Sequence, residues 1–332
     1  MNKITKIILM MISVLILLAL AFYFYVRNDL YSPMSKETKK IVFEIEKGPG
    51  SMQIVDSLKK EGLVRQTWTM ALYLKVSGYG NKLKSGTFLL DISNSPVKNI
   101  EIIVSGETAL KKLTFLEGWT KVDMAEYLNE KGIVSKQDYL DATNKKWDYS
   151  FLEGESDLEG YLYPDTYYVK YNADADTIIK AQLDNFDKKL TQTMRDDIKS
   201  QGRTIKDVVI LASIVEREVT KDNDRKIVAG IFLSRIKEGM PLQSDATVNY
   251  VTGESKASPT YEETRKASPY NTYLNKGLTP GPISNPSISS ITSSVYPEYT
   301  DYRYYLNRQD TLETIFSVTY DEHLENKQKY LK

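Results

Sequence analysis

The sequence predicts an α+β protein with three parts: a single N-terminal transmembrane helix, a small βααβ domain and a larger mixed α/β domain. Three observations lead to this prediction. Residues 7–26 carry no charge, residues 41–106 follow the order strand, helix, helix, strand, and residues 107–332 mix helical and strand-like patterns with long polar loops. The chain beyond the apolar run is long enough for two folded domains.

The N-terminal apolar run is long enough to cross a bilayer. Residues 7–26 would form about 30 Å of α-helix, which matches the hydrocarbon core. Lys3 and Lys6 precede the run, so the positive-inside bias places the N-terminus in the cytoplasm. A cleaved signal peptide is the alternative, but no small-x-small cleavage site follows the run. We expect residues 1–27 to form a short cytoplasmic tail and the transmembrane helix, and residues 28–40 to form a polar linker.

The small domain shows its elements in sequence. Residues 41–46 alternate like a half-buried strand, and Ser51 is a candidate N-cap for the helix that follows. A second helical pattern spans residues 67–76, and a strand starts at Gly86. A last helix is expected at residues 96–104.

An internal repeat links this domain to the next. Residues 46–64 and 116–134 superpose without gaps, and two pairs of glycines align, Gly48 with Gly118 and Gly62 with Gly132. One interpretation is that any strand–turn–helix–glycine unit looks alike. The other is a duplicated or related binding module.

The large domain at residues 107–332 begins with aromatic loop and strand segments. We expect a long polar helix at about residues 173–202, then the helix that carries Glu218, then a helix at residues 222–238. The segments after Gly239 are rich in Gly, Pro, Asn, Ser and Thr, and long polar loops of this kind are usually functional. The tail is expected to close with a strand pair.

Composition limits the chemistry. The 44 basic and 44 acidic residues balance, so the overall charge favours no nucleic-acid partner. Without cysteine there is no disulfide, thiolate zinc site or cysteine nucleophile. His323 is the single histidine, which excludes clustered-histidine metal sites, and no G-x-S-x-G elbow supports a serine hydrolase. We therefore expect no metal and no cofactor, and carboxylates remain for acid–base work.

One apolar helix contains two glutamates. In "LASIVEREV" (residues 211–219) a helical wheel places Glu218 near the centre of an apolar arc and Glu216 on the far side. A carboxylate within a core-facing stripe is costly unless it is paired or protonated. Glu218 is therefore a candidate for chemistry.

Five segments carry a family resemblance. The segments "LEGYLYPDTY", "LASIVERE", "RIKEGMPLQSDATV", "SPYNTYLNKGLTPGPISNPS" and "FSVTYDEH" occur in one order along the chain. With these segments the sequence resembles the membrane-anchored endolytic murein (peptidoglycan) transglycosylases, a family with a lysin-motif-like module before its catalytic domain. The resemblance implies that residues 41–106 are the glycan-binding module and that residues 107–332 are the catalytic domain.

The resemblance also implies a reaction. These enzymes cleave the β-1,4 bond between N-acetylmuramic acid and N-acetylglucosamine without water, because the muramic C6 hydroxyl attacks its own C1 and leaves a 1,6-anhydro end. One carboxyl can act as acid and then as base in such a reaction. The family's catalytic glutamate maps to the Glu-x-Glu pair, and we assign it to Glu218, with Glu216 in reserve.

Two polar segments are expected to line the substrate groove by the same resemblance. Their amides, hydroxyls and tyrosine rings suit N-acetyl groups and pyranose surfaces. The candidate substrate-binding residues are Gln243, Ser244, Asp245, Thr247, Tyr270, Asn271, Thr272 and Tyr273.

The sequence departs from the family pattern at several positions. Ala246 stands where the family usually has the proline of Asp-Pro-Thr. Thr314 stands where a histidine often precedes the last strand's phenylalanine, which leaves His323 as a structural or rim residue.

The expected partners follow from this resemblance. They are peptidoglycan glycan strands, the membrane through the N-terminal helix, and cell-wall synthesis proteins, with nascent strands cleaved to terminate elongation at the bacterial cell membrane. Two alternatives stay open: a membrane-anchored peptidoglycan-binding scaffold without turnover, and a glycoside hydrolase that leaves reducing ends.

Overall fold

The structure, a computed structural model, describes residues 3–254, 256, 258–308, 310–311 and 313–331. It is a mixed α+β protein, as the sequence predicts. The chain divides into two compact units. The first unit contains Met1–Lys111 and Lys170–Asn172, and the second contains Lys112–Val169 and Ala173–Lys332.

The first helix, α1 (Lys3–Tyr31), is the one helix in the described part of the chain that is long and apolar enough to cross a membrane. Its C-terminal end packs into the first unit. Asp29 and Leu30 are buried, and the Thr69 hydroxyl donates a hydrogen bond to the Asp29 carboxylate. Arg65 donates to the backbone carbonyl of Asp29 at 3.1 Å, which satisfies an end of the helix that would otherwise lack a partner. Residues 28–31, expected in the linker, therefore belong to α1.

The first unit continues with β1 (Lys40–Ile45), α2 (Ser51–Lys60), α3 (Thr67–Ser77), β2 (Gly86–Asp91) and α4 (Pro96–Ser105). β1 and β2 pair antiparallel, with Phe43 opposite Phe88. The expected order strand, helix, helix, strand is observed. Gly50 is the N-cap of α2 in place of the predicted Ser51, which is already helical. The core of this unit includes Val55, Leu58, Leu63, Met70, Phe88, Leu90, Ile100 and Ile103.

The internal repeat in the sequence is also a structural repeat. The next elements are β3 (Leu110–Thr114), α5 (Lys121–Glu130), α6 (Lys136–Thr143), a 3₁₀ turn at Ser150–Leu152 and β4 (Thr166–Lys170). α5 repeats the bounds of α2 seventy residues later, and β3 and β4 form a two-stranded sheet, as β1 and β2 do. All four aligned glycines have positive φ, between 61° and 119°, which explains why glycine occurs at both copies.

Helices dominate the rest of the second unit. They are α7 (Ala175–Lys189), α8 (Gln192–Ser200), α9 (Ile205–Glu218), α10 (Asp222–Lys237), α11 (Asp245–Thr252), a 3₁₀ turn at Glu263–Arg265, α12 (Ile288–Val295) and α13 (Tyr320–Tyr330). The predicted long polar helix is interrupted, because the Thr191 side chain accepts a hydrogen bond from the Met194 N–H and starts α8.

The strands of the large domain form less sheet than a mixed α/β domain implies. Besides the first unit's pair, the described strands form two two-stranded sheets, β3–β4 and β5–β6. The predicted closing pair is this last hairpin, with β5 (Tyr304–Asn307) antiparallel to β6 (Thr314–Ser317). Helix packing therefore supplies most of the core.

α9 separates two hydrophobic clusters of the second unit, and this position explains its composition. Val209 and Ala212 belong to one cluster, whereas Leu211, Ile214 and Val215 belong to the other. Both faces are buried. The two faces of α9 on the helical wheel therefore each pack against a hydrophobic core, and neither faces solvent along this stretch.

α9, α10 and α12 pack closely. Gly230 in α10 lies against the backbone after α12, where an added Cβ would overlap the carbonyl oxygen of Glu298. The Glu298 N–H also donates to the Lys226 carbonyl at 3.0 Å, so this backbone cannot easily move away.

We predict that Gly230→Ala destabilises the second unit by about 1–3 kcal/mol, because overpacking forces backbone shifts. Thermal unfolding followed by circular dichroism measures the effect. Lys226→Ala, an exposed change on the same helix, should alter stability by less than about 0.5 kcal/mol. Equal melting temperatures for Gly230→Ala and Lys226→Ala would contradict this packing.

Candidate active site

Glu218 is the last residue of α9, and its half-buried side chain is held from two directions. The Ser244 hydroxyl donates to one carboxyl oxygen, and the Tyr305 hydroxyl donates to the other at 2.9 Å. Burial raises the pKa of Glu218, although these two hydrogen bonds oppose the shift. The negative charge of Asp245 raises the pKa further. A carboxyl in this setting favours keeping its proton.

The β5–β6 hairpin contributes contacts that the sequence did not reveal. Asn307 donates from its side-chain amide to the Glu218 backbone carbonyl at 2.6 Å, and Thr314 donates to the Asn307 amide oxygen at 3.1 Å. Burial raises the pKa of Tyr305 well above its ordinary value, so its hydroxyl remains a donor. The resembling family often has histidine at the position of Thr314. Here Thr314 contacts Asn307, which in turn holds the backbone of Glu218. The strand pattern was visible in the sequence, but its contact with α9 was not.

Ser244 is positioned by a buried hydroxyl network. Its backbone N–H donates to the Thr272 hydroxyl at 3.0 Å, and the hydroxyls of Thr247 and Thr272 lie 2.8 Å apart. All three residues are buried. Asn271 is buried as well and donates to the backbone carbonyl of Thr264 at 3.0 Å. These predicted residues build the loop that holds Ser244.

The other predicted substrate-binding residues are more accessible. Gln243 is exposed and has φ 52°, the one positive φ among the described non-glycine residues. Such a conformation costs about 1–3 kcal/mol and is often kept at functional sites. Tyr270 is half-buried, with its ring 5.2 Å from that of Tyr250.

Asp245 begins α11 beside the Glu218 carboxyl. The Tyr273 hydroxyl donates to Asp245 at 2.5 Å. Burial raises the pKa of Asp245, whereas the Tyr273 hydrogen bond lowers it. The backbone N–H of Ala246 is close enough to lower the pKa of Glu218. A proline at this position, as in the resembling family, has no N–H and would lack this effect.

Glu216 lies in a different environment from Glu218. One carboxyl oxygen pairs with Arg225 at 2.9 Å, and the other accepts from the backbone N–H and hydroxyl of Ser287 at 2.9 and 2.5 Å. The side chain is 5% exposed. Glu216 therefore joins α9 to α10 and to the N-cap of α12, and both of its oxygens are occupied.

A further buried carboxyl, Glu159, was missed by the sequence reasoning although it lies in one of the quoted segments. It accepts from the Lys121 N–H at 3.0 Å and from the Asn285 amide at 2.8 Å. Burial raises its pKa to about 8. Asn285 in turn accepts from the backbone N–H groups of Gly160 and Leu162. Glu159 connects three loops and makes no hydrogen bond to Glu218.

Comparisons with known proteins identify the family of the chain. The model of the YceG-like family matches residues 43–329. The chain is 30% identical over 325 residues to an endolytic murein transglycosylase of Bacillus subtilis strain 168, covering 92% of this chain and 89% of that protein. It is also 30% identical over 317 residues to an endolytic murein transglycosylase of Streptococcus pneumoniae D39, covering 86% of this chain and 57% of that protein.

One solved structure is similar to this chain over most of its length. The crystal structure of a YceG-like protein from Listeria monocytogenes, at 31% identity, superposes with a TM-score of 0.59 and covers 88% of this chain and 100% of that one. The family match covers most of the sequence and both units. The chain belongs to the YceG-like family.

Proposed function

We propose that this protein is an endolytic murein transglycosylase, a lyase that cleaves peptidoglycan strands, and that Glu218 is its acid and base. The observation that carries the assignment is the half-buried Glu218 carboxyl, whose pKa burial raises while Ser244 and Tyr305 fix both of its oxygens. The Bacillus subtilis relative, of which the chain covers 89%, and the family membership support the activity.

The reaction needs one titrating group. Glu218 gives its proton to the glycosidic oxygen between N-acetylmuramic acid and N-acetylglucosamine as the bond from that oxygen to C1 breaks. The muramic C6 hydroxyl then bonds to C1, and its proton passes to the Glu218 carboxylate. The products are a 1,6-anhydro end and a free hydroxyl on the leaving sugar. Glu218 ends protonated, as it began, and no water is consumed.

Burial divides the substrate-binding candidates into two groups. Gln243, Asp245, Tyr270 and Tyr273 are exposed or half-buried, and we assign to them the direct contacts with sugar hydroxyls, N-acetyl groups and ring faces. The buried candidates are assigned a supporting role, because they hold the loop and the Glu218 carboxyl in position. They are Ser244, Thr247, Asn271 and Thr272. Glu216 is assigned a structural role because both of its oxygens are already bonded.

The location follows from α1. We assign α1 as a single membrane span with the N-terminus in the cytoplasm, since Lys3 and Lys6 flank its start. The catalytic unit then lies outside the cell membrane, next to nascent glycan strands and the proteins that synthesise them. The small domain is assigned as a lysin-motif-like glycan-binding module, supported by its βααβ order.

We predict that Glu218→Gln abolishes activity, with a loss of at least about 100-fold, because an amide cannot donate and recover the proton. Purified, undigested glycan strands are incubated with the full chain, and new ends are identified by mass spectrometry. New 1,6-anhydro ends with wild type only support the proposal. Reducing ends with wild type would indicate a hydrolase, and no new ends would indicate a scaffold without turnover.

Glu216→Gln is the matched control on the same helix. It breaks a buried ion pair and should destabilise the fold by on the order of 3 kcal/mol, yet the folded fraction should still produce anhydro ends. Glu218→Gln should melt no lower than wild type at neutral pH, because ionisation of a buried acid with a raised pKa opposes folding. An inactive but stable Glu216→Gln would transfer the acid role to Glu216.

We predict that Asp245→Asn moves the basic limb of the pH–rate profile to lower pH. The acid must be protonated, so activity falls as pH rises through the Glu218 pKa, and removal of a nearby negative charge lowers that pKa. The initial rate of anhydro-end formation across a pH series measures the limb. An unmoved limb would show that Asp245 does not influence the acid.

We predict the opposite displacement for Tyr305→Phe. The Tyr305 hydroxyl donates to the ionised carboxyl and stabilises it, so its loss raises the Glu218 pKa and moves the basic limb to higher pH. The maximal rate should also fall, because one carboxyl oxygen is no longer fixed. Tyr304→Phe, on the neighbouring and opposite-facing position of β5, is the control and should leave the limb in place.

A further inference from the structure

α3 in the first unit carries an exposed apolar stripe. Trp68, Leu72 and Val76 are spaced four residues apart and so lie on one face of the helix. Their exposed fractions are 44%, 42% and 79%. The opposite face, with Met70 and Leu74, is buried in the core of the unit. The stripe is thus not required for folding of the unit, and something else should account for it.

Trp68 connects the stripe to the membrane helix. Its ring stacks on Phe22 and Tyr25 of α1, with ring centroids 6.0 and 6.2 Å apart. Both partners lie in the last turns of the apolar run, within about 6 Å of its end along the helix axis. Tryptophan and tyrosine at this level are typical of the interface between hydrocarbon and headgroups.

The orientation of α3 follows from two further contacts with α1. Thr69 bonds to Asp29, and the Tyr73 ring lies against that of Tyr31. Thr69 and Tyr73 are about 6 Å apart along the axis of α3, whereas their partners Asp29 and Tyr31 are about 3 Å apart along the axis of α1. α3 is therefore inclined across the end of α1, and at this inclination Leu72 and Val76 lie near the level of Tyr31, about 8 Å beyond the apolar run and at the depth of the lipid headgroups.

The charged residues in the segment that contains the stripe are all basic. Residues 62–90, which include all of α3, contain four basic residues and no Asp or Glu. The basic residues are Arg65, Lys75, Lys82 and Lys84. The chain as a whole is neutral, so this segment is a local departure that suits an anionic surface.

We propose that the Trp68–Leu72–Val76 stripe rests in the outer interface of an anionic phospholipid bilayer, so that the first unit lies on the membrane that α1 spans. The apolar side chains enter the headgroup boundary and the basic residues around them meet lipid phosphates. The proposal rests on the proposed membrane anchoring by α1. It adds a second, peripheral contact between the small domain and the lipid.

The test uses the full chain in nanodiscs that contain phosphatidylglycerol with brominated acyl chains, which quench tryptophan at short range. Three single-tryptophan variants are compared, all with Trp119→Phe and Trp147→Phe. One keeps Trp68, and the other two carry Trp68→Phe together with either Val76→Trp or Tyr25→Trp. We expect loss of emission at position 68 comparable to that at position 25, and a smaller loss at position 76, which lies at the headgroup boundary.

The outcomes separate the two proposals. Quenching at position 25 without quenching at position 76 would contradict the proposed contact between the stripe and the bilayer, but not membrane anchoring by α1. No quenching at position 25 would overturn the anchor itself. Val76→Trp replaces a largely exposed side chain, so the reporter should fold. Replacing phosphatidylglycerol by a zwitterionic lipid should reduce quenching at position 76 but not at position 25, because only the stripe depends on lipid charge.

Discussion

The protonation of the Glu218 carboxyl depends on the balance between burial, which raises its pKa, and hydrogen bonds to its two oxygens, which lower it. Burial alone would raise its pKa and leave its oxygens without partners, which is costly in a protein interior. Ser244 and Tyr305 supply partners without adding a positive charge. The buried hydroxyls behind Ser244 and the hairpin that carries Tyr305 are best understood as supports for this one group.

Two glutamates two residues apart have different environments because α9 lies between two cores. Glu216 points to Arg225 and the start of α12, and a cation and two donors saturate it. Glu218 points to the polar loops and the hairpin, and its donors are neutral. We assign the proposed acid–base role to Glu218, because burial raises its pKa and neither of its hydrogen-bond donors is a cation.

The sequence predicted the parts of the fold that rest on local patterns. The apolar helix, the βααβ order, the repeat and Glu218 on an apolar helix all follow from periodicity, glycine positions or motifs. The contact from Tyr305 to Glu218 spans 87 residues and depends on which face of a short hairpin meets α9, which no local pattern records. The division between Gln243 at the surface and Thr272 in the core is likewise a result of packing. The interruption of the long polar helix rested on one capping threonine, which competes weakly against a continuous helical pattern.

The buried bond between Asp29 and Thr69 fixes the chain at the start of the region where a polar linker was expected. α1 passes into the small domain without a break, and Arg65 closes the end of the helix. With α1 in a bilayer, the small domain cannot sweep through the space above the membrane on a tether. It moves only as the anchor diffuses laterally, so its motion is two-dimensional and takes place at a fixed height above the membrane.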